Sequence, residues 1–313
     1  MRFWQKAMIF LATHQGIKAW IQKTAAATLL ARRFVGGENE NAVVAKGLEL
    51  KAQNLLVSFF HLGEYVTDKT LVDQTLASLK KTMVHARKAD LDLHLSIDPT
   101  QAGLIQGTGA CQQNLTRLAR FLKSLERPGN LDVLMIDMED ASVTQPTLDI
   151  FRHLIQAGLP AAITLQACLF QTPDDLKSVI EAGGMVRLVK GAFAEDSHIA
   201  HTRKNKIDQT YLSLAKDMLH PDAIVNGFYP VFATHDHRLI QEILKTARKN
   251  QISPAQYEFE MLFGVRPDLQ QELVQKGCRV RLYLPYGKDF WPYAVRRIGE
   301  NPKNMTFLIK SLI

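Results

Sequence analysis

Two adjacent arginines near the end of the sequence, Arg296 and Arg297, are of a type and spacing suited to binding a small anion. On a helix, Tyr293, Arg296, Arg297 and Glu300 occupy positions i, i+3, i+4 and i+7, which form one face. A planar guanidinium group donates two parallel hydrogen bonds to a carboxylate or a phosphate. Two such groups beside an aromatic ring predict a clamp for a small anionic molecule. The alternative is a solvated basic helix end, which the helix macrodipole favours.

The helix that carries this face is expected to follow a β-strand. The run from Arg279 to Leu284 has the pattern of a strand, and Pro285 and Gly287 are expected to end it. Asp289 is then placed to cap the next helix.

Seven further apolar, β-branched runs recur along the chain, and each predicts a strand. These runs are Leu55–His61, Leu91–Ile97, Leu131–Ile136, Ala161–Leu165, Met185–Val189, Tyr229–Ala233 and Tyr257–Leu262. Amphipathic stretches lie between them, as at Thr70–Arg87 and Asn114–Leu125, where apolar residues recur with a helical period. Another helix is predicted with Thr172 as its cap and Pro173 in its first turn.

Alternation of strands and helices implies parallel pairing. Eight repeats over about 250 residues are typical of a closed (β/α)8 barrel. The predicted fold is therefore α/β, a distorted (β/α)8 TIM-type barrel with extra N-terminal helices. Residues 1–50 are expected to form a helical segment packed on the barrel, and residues 51–313 the barrel. A doubly wound sheet is the alternative, weakened because no GxGxxG motif follows the first strand.

The amino-acid composition indicates which classes of binding partner to expect. The 313 residues are 46% apolar and 22% charged, with a formal net charge of +7. The basic residues are scattered and are not interleaved with aromatic residues, so no nucleic-acid partner is expected. A basic surface is also compatible with anionic lipid headgroups, hence with peripheral contact at the inner membrane.

The three cysteines, Cys111, Cys168 and Cys278, are far apart and form no CxxC motif. Neither a disulfide framework nor a zinc site is indicated, which favours a reducing compartment and a cytoplasmic location. No apolar run approaches the length needed to span a bilayer.

Polar residues follow or end each predicted strand, where barrels of this kind place their chemistry. They are Glu64, Asp98, Asp137, Glu139, Gln166, Arg187, Lys190, Thr234, His235, Asp236, Glu260 and Tyr283. Unpaired charges inside a closed rim would be costly, so these groups are expected to meet each other or a charged ligand. His235 and His237 lack a carboxylate or third histidine at ligand spacing, so no metal site is expected.

Several short motifs occur in an order and spacing that resemble the proline dehydrogenase family. They are Arg32–Gly37, Leu62–Glu64, Ile136–Asp140 with Thr147–Phe151, Leu165–Ala167, Val186–Ala192, Phe232–His235, Glu260–Gly264, Tyr283–Gly287 and Tyr293–Arg297. The resemblance covers nearly the whole chain from about Ala31 onward. It implies a distorted (β/α)8 barrel that binds FAD and oxidises L-proline to Δ1-pyrroline-5-carboxylate, with electrons passed to a quinone.

The resemblance also implies substrate-binding residues. Arg296 and Arg297 would bind the carboxylate of a small amino acid, while Tyr283 and Tyr293 would pack around its ring. Further residues implied at the substrate are Leu262, Glu64 and Asp98. The catalytic set would be Arg187, Tyr283 and Asp137, with Arg187 beside the reactive nitrogen of the flavin.

The same resemblance implies a flavin-binding set. Gln166 would hydrogen-bond the edge of the isoalloxazine. The ribityl, pyrophosphate or adenosine portions would be held by Lys190, Gly191, Thr234 and His235. Arg187, Arg297 and Glu300 complete the set of implied cofactor-binding residues.

Three positions depart from the family pattern. Asp98 stands in Ser96–Gln101 where the family commonly has a lysine, so Glu64 and Asp98 would form a pair of carboxylates that recruits a cation or keeps a proton. Phe193 replaces a common tyrosine, and Cys168 also stands where a tyrosine is common.

Two alternatives to proline oxidation stay open. One is oxidation of a related amino acid, such as hydroxyproline or a basic amino acid. The other is a catalytically silent protein that binds flavin or a carboxylate.

Overall fold

Eight parallel strands pair in the order of the sequence and close into a barrel in the computed structural model, which describes residues 33–63, 68–290 and 293. The strands are β1 Leu56–His61, β2 His94–Ile97, β3 Val133–Ile136, β4 Ala161–Gln166, β5 Met185–Val189, β6 Tyr229–Ala233, β7 Glu258–Leu262 and β8 Arg279–Tyr286. Closure comes from β1 pairing with β8, with Leu56 opposite Arg281 and His61 opposite Tyr286. The predicted (β/α)8 barrel is confirmed, and the doubly wound alternative is wrong.

Helices alternate with the strands and cover the outside of the barrel. They are α1 Glu40–Lys51, α2 Lys69–Lys88, α3 Thr108–Lys123, α4 Thr144–Gln156, α5 Thr172–Glu181, α6 Lys204–Met218, α7 Pro221–Val225, α8 His237–Lys249 and α9 Pro267–Gln275. Short polar side chains cap several of them, as where Asp68 accepts a hydrogen bond from the Thr70 backbone N–H at 2.7 Å. No helix within residues 33–63 and 68–290 combines the length and apolar character needed to cross a membrane.

The helix boundaries differ from the sequence prediction at two places. α3 begins at Thr108, six residues before the predicted start at Asn114, because its first turn carries little apolar signal. The cap of α5 is Gln171, not Thr172, so that prediction was wrong. The Thr172 hydroxyl instead donates to the backbone oxygen of Gln166 at 2.6 Å, which ties the helix to the end of β4. Pro173 lies in the first turn, as predicted.

β8 continues through Pro285, where the sequence predicted that it would end. β7 ends at Leu262, opposite Tyr283, so the next positions of β8 face no β7 carbonyl on that side. A proline lacks only the N–H donor, and it is tolerated where none is required. The Pro285 carbonyl accepts a hydrogen bond from the Gly36 N–H at 2.7 Å.

The chain that leads into α1 is built into the mouth of the barrel. Gly37 forms a parallel bridge with Tyr286, and a Cβ at Gly36 would lie 2.7 Å from the Leu284 side chain. Gly264 has φ +78, and a Cβ there would lie 2.0 Å from the Arg33 carbonyl oxygen. The glycines of this region are therefore required by close packing.

The proposed division between residues 1–50 and 51–313 stays a prediction, and residues 1–32 lie outside the described residues.

The barrel has an apolar outer layer and a partly polar interior. Residues such as Leu95, Ile136 and Leu165 point outward and pack against the helices in one continuous core. Because side chains alternate along a strand, Glu258 and Glu260 of β7 point inward together. Arg281 of β8 is fully buried beside them.

Arg281 is held by carboxylates near the N-terminal ends of the strands. Its Nε and Nη2 atoms donate to the two oxygens of Glu258 at 2.7 and 3.2 Å. Nη1 donates to the Val57 carbonyl at 2.8 Å, and Nη2 also reaches Asp92 at 3.1 Å. This pairing offsets the cost of burying the charges.

Arg281→Met should lower the free energy of unfolding by about 3–5 kcal/mol, because Glu258 is left buried without its cation. Chemical denaturation followed by circular dichroism measures the change. The double variant Arg281→Met/Glu258→Gln should recover much of the loss, whereas equal instability of the single and double variants would contradict this account. Arg152→Met, on the outside of α4, is the control for loss of a positive charge.

Candidate active site

A cavity of about 680 Å³ opens at the carboxyl ends of the strands. Its volume lies within the range of roughly 300–1,000 Å³ typical of sites for small molecules and cofactors. The residues predicted for the site that line it are Asp98, Asp137, Gln166, Arg187, Lys190, Gly191, Thr234, His235, Leu262, Tyr283 and Tyr293. Parallel pairing brings these residues to one face of the barrel from positions that are far apart in the sequence.

Arg187 of β5 is the buried cation at the base of the cavity. Its Nε and Nη2 atoms donate to the two oxygens of Glu260 at 2.8 and 2.7 Å, and Nη1 donates to Asp137. Nη2 also donates to the hydroxyls of Ser96 at 2.8 Å and Ser58 at 3.3 Å. The guanidinium group is thus fixed in position and orientation by residues of four other strands or strand ends.

The charges of this cluster determine its protonation. Burial alone would lower the pKa of Arg187, but the charges of Glu260 and Asp137 outweigh it and raise that pKa. Burial raises the pKa of Glu260 to about 7, against the opposing effect of Arg187. Arg187 therefore stays charged at all accessible pH values, while the raised pKa lets Glu260 take up a proton close to neutral pH.

Tyr283 of β8 forms one wall above the cluster. Its hydroxyl donates to Asp137 Oδ2 at 2.8 Å, and its ring lies over the Arg187 guanidinium with 5.3 Å between the ring centroid and Cζ. The ring of Phe60 packs against it with 5.0 Å between centroids. Burial, together with the charge of Asp137, raises the pKa of Tyr283 well above its usual value, so the hydroxyl remains a donor.

Lys190, at the end of β5, reaches the cavity but is already paired. Its Nζ atom lies 2.6 Å from Asp208 Oδ1 and 3.1 Å from Asp236 Oδ2. Asp208 also binds Lys204 at 2.6 Å and Arg238 at 2.8 Å. The positive charge of Lys190 is therefore largely balanced within the protein.

The residues after β6 shape the cavity through backbone contacts. His235 Nε2 accepts the backbone N–H of Leu262 at 2.9 Å, which places the ring proton of a neutral imidazole on Nδ1. The Thr234 hydroxyl accepts the backbone N–H of Asp236 at 3.1 Å. His235 thus connects the loop after β6 to the end of β7, and Thr234 stabilises the turn that follows β6.

Gly191 and Gln166 line the side of the cavity formed by β4 and β5. Gly191 has φ +106, and a Cβ there would lie 2.3 Å from the Cys168 sulfur, so only glycine fits. Gln166 is buried, and its Nε2 donates to the Glu139 carbonyl at 2.9 Å.

The chain is similar in sequence to known proteins. Residues 43–310 match the family model described as "Proline dehydrogenase". The chain is 31% identical to proline dehydrogenase 2 of Bacillus subtilis over 282 residues, which cover 90% of both proteins. It is 30% identical to the proline dehydrogenase of Deinococcus radiodurans over 286 residues, 91% of this chain and 90% of that protein.

The chain belongs to the proline dehydrogenase family. Its fold also matches the crystal structure of proline utilization A from Bdellovibrio bacteriovorus with a TM-score of 0.82 at 21% identity, over 97% of this chain. This chain spans 37% of the length of that protein.

Several site predictions cannot be placed. Glu64, Arg296, Arg297 and Glu300 lie outside the described residues, and so does the Glu64/Asp98 pair. Tyr293 is helical, lines the cavity and is 5% exposed. The roles assigned to all of these residues stay predictions.

Three residues of this proline dehydrogenase family member that bond Arg187 or Asp137 were not predicted from the sequence: Thr164, Ser58 and Ser96. Thr164 lies two positions before Gln166 on β4 and donates to Asp137 Oδ1 at 3.1 Å. The two-residue period of a strand would have placed it on the same face as Gln166. Ser58 and Ser96 gave no comparable signal, since a lone serine in an apolar run has many structural explanations.

Three residues with side chains of metal-ligand type also meet inside the barrel. Among the described residues, His94, Glu258 and Glu260 offer ligand atoms within 4.8 Å of one another. Arginines bind both oxygens of each carboxylate, Arg281 at Glu258 and Arg187 at Glu260. We therefore assign no metal to this group.

Tyr283→Phe should lower the free energy of unfolding by about 1–3 kcal/mol, because Asp137 Oδ2 loses its phenolic donor. Tyr229→Phe is the matched control, since the Tyr229 hydroxyl is buried with no hydrogen-bond partner among the residues that the structure describes, and its removal should be neutral or stabilising. Denaturant midpoints of the two variants measure the difference. Equal effects in both would show that the bond to Asp137 contributes nothing.

Proposed function

We propose that this protein is an FAD-dependent dehydrogenase that oxidises L-proline to Δ1-pyrroline-5-carboxylate and passes the electrons to a quinone. The observation that carries the proposal is the fixed Arg187–Asp137–Tyr283 arrangement at the base of the cavity, in a chain that matches the family over residues 43–310. A cation immobilised in a buried site is suited to stabilising negative charge that develops during a reaction.

The described residues fit a flavin cofactor. FAD, when bound, supplies the two-electron oxidation. The cavity of about 680 Å³ has room for a large ligand, and buried polar side chains border it. The residues that would hold the cofactor are Gln166, Arg187, Lys190, Gly191, Thr234 and His235, with Arg297 and Glu300 as further candidates from the sequence.

The chain's own residues would bind and orient the substrate. Arg296 and Arg297 would bind the carboxylate, and the aromatic walls formed by Tyr283 and Tyr293 would exclude water from the ring. Asp137 takes hydrogen bonds from Tyr283 and Arg187, so it holds both groups in place for binding. An amine that loses hydride must first be neutral, so the ammonium proton has to leave before the oxidation.

A quinone acceptor is soluble in membranes, so peripheral contact with the inner membrane from the cytoplasmic side forms part of this proposal. The formal net charge of +7 supports attraction to anionic lipid headgroups. Reoxidation of the reduced protein by a water-soluble quinone would test the acceptor directly.

A related amino acid is the second candidate substrate. Asp98 adds a carboxyl group to the cavity, and a carboxylate favours a ligand that carries an additional donor or cation. Hydroxyproline and the basic amino acids have such groups.

The purified protein, expressed with ample riboflavin, should be yellow and should lose its flavin absorbance on anaerobic addition of L-proline. A titration with L-proline, trans-4-hydroxy-L-proline and L-lysine, followed by visible absorption, measures the preference. Bleaching by another amino acid alone would favour the second candidate. A colourless protein that takes up no added FAD would overturn the proposal.

Arg296→Met and Arg297→Met should each raise KM for the substrate by about 10- to 100-fold, since each removes a charge-assisted contact of about 1.5–3 kcal/mol. Steady-state kinetics measure the change. Arg120→Met, at an exposed position of α3, is the matched control. Kinetics like those of the wild type in both variants would remove these arginines from the proposed site.

A further inference from the structure

Asp98 lies at the mouth of the barrel just after β2 and lines the cavity. Its backbone is held in place, because its N–H donates to Gln101 Oε1 at 3.1 Å and Gln101 Nε2 donates to the His61 carbonyl at 2.7 Å. Pro99 follows directly and restricts the chain further. The backbone position from which this side chain extends is therefore defined by the barrel.

The other carboxyl groups of the cavity have donors of their own. Asp137 accepts from Tyr283, Thr164 and Arg187, and Glu260 accepts from Arg187. Glu139 accepts from the backbone N–H and hydroxyl of Thr100 at 2.9 and 2.8 Å.

Asp98 differs from these groups. Within residues 33–63 and 68–290, no group donates a hydrogen bond to its side chain, although the residue is half-buried. A half-buried carboxylate without a donor is costly unless a ligand supplies one.

The described walls of the cavity are also acidic. They carry five carboxyl groups and two cationic side chains, Arg187 and Lys190. Both cations are already engaged by carboxylates, Arg187 by Asp137 and Glu260, and Lys190 by Asp208 and Asp236. A positively charged ligand group is favoured in such surroundings, and it would gain most beside Asp98, the carboxyl group of the cavity to which no described residue donates.

We infer that Asp98 is a specificity-determining residue that binds the positively charged nitrogen of an amino-acid substrate. The inference rests on the proposed function, because it concerns the amine end of the molecule whose carboxylate the arginines would bind. Asp98 would bind the positively charged end of the zwitterionic substrate, and the arginines would bind its negatively charged end.

Proton release should accompany this binding. Burial, together with the charges of Asp137 and Glu139, raises the pKa of Asp98 well above its usual value, and Arg187 opposes the rise. Tyr283 faces the same space and stays neutral, since its own pKa is raised. Asp98 therefore tends to carry a proton in the empty cavity. When a substituted ammonium ion binds, the Asp98 O–H bond breaks, the proton passes to solvent and the carboxylate pairs with the cation.

Two small ring compounds allow the two ends of the substrate to be tested separately. Pyrrolidine carries the ring nitrogen without a carboxylate, and tetrahydro-2-furoate carries the carboxylate with oxygen in place of nitrogen. Calorimetry on the FAD-loaded protein near neutral pH should show that Asp98→Asn weakens pyrrolidine binding about tenfold or more. Tetrahydro-2-furoate should bind as well as before or more tightly. Asp222→Asn, whose side chain is 92% exposed on α7, controls for loss of one negative charge.

Proton release is a second readout. Titrations of pyrrolidine in two buffers of different ionisation enthalpy should show release from the wild-type protein and none from Asp98→Asn. Asp98→Glu keeps the charge and should retain pyrrolidine binding, which preserves the test if the asparagine variant folds poorly. Asp98→Lys should abolish pyrrolidine binding and strengthen that of tetrahydro-2-furoate.

The outcomes separate this inference from the proposed function. Equal pyrrolidine affinity in the wild type and in Asp98→Asn, with flavin still reduced by proline, would overturn the inference alone. A wild-type protein that binds neither ring and is not reduced by any amino acid would overturn the proposed function and the inference together.

Discussion

A guanidinium group buried among carboxylates is the constraint on which this barrel depends. Arg187 is 3% exposed, and it is bonded to Glu260 and Asp137 and to the hydroxyls of Ser58 and Ser96. Removing water from a charge is costly, so each partner must be supplied by the fold. The same bonds that offset this cost connect five strands or strand ends across the barrel. The bonds that fix the position of the charge are therefore also bonds that hold the barrel together.

A second layer of the same kind lies nearer the other end of the barrel. Arg281 is bonded there to Glu258 much as Arg187 is bonded to Glu260 in the first layer, because every second residue of β7 points into the barrel. His94 lies between the layers, bonded through Nδ1 to Ser58 at 2.9 Å. Burial, with the charges of Arg281 and Arg187, lowers its pKa well below the usual value, so it adds no third positive charge.

The strands were predictable because runs of buried β-branched residues are a strong signal. The predicted bounds of two strands, Met185–Val189 and Tyr229–Ala233, are the same as those in the structure. The site was predictable in outline, since parallel strands bring their carboxyl ends to one rim. Its wiring was not. Neither the pairing of Lys190 with Asp208 of α6 nor the serines around Arg187 follows from local pattern, because each depends on the register between distant elements.

The contact between the incoming chain and the end of β8 limits how the protein can vary in length. Gly36 and Gly37 extend the sheet beside Pro285 and Tyr286 where β7 has already stopped, and α1 begins at Glu40. A residue inserted in this short connection would shift either the sheet contact or the helix. Changes in chain length should therefore be tolerated elsewhere, while the glycine pair keeps α1 in register with the barrel.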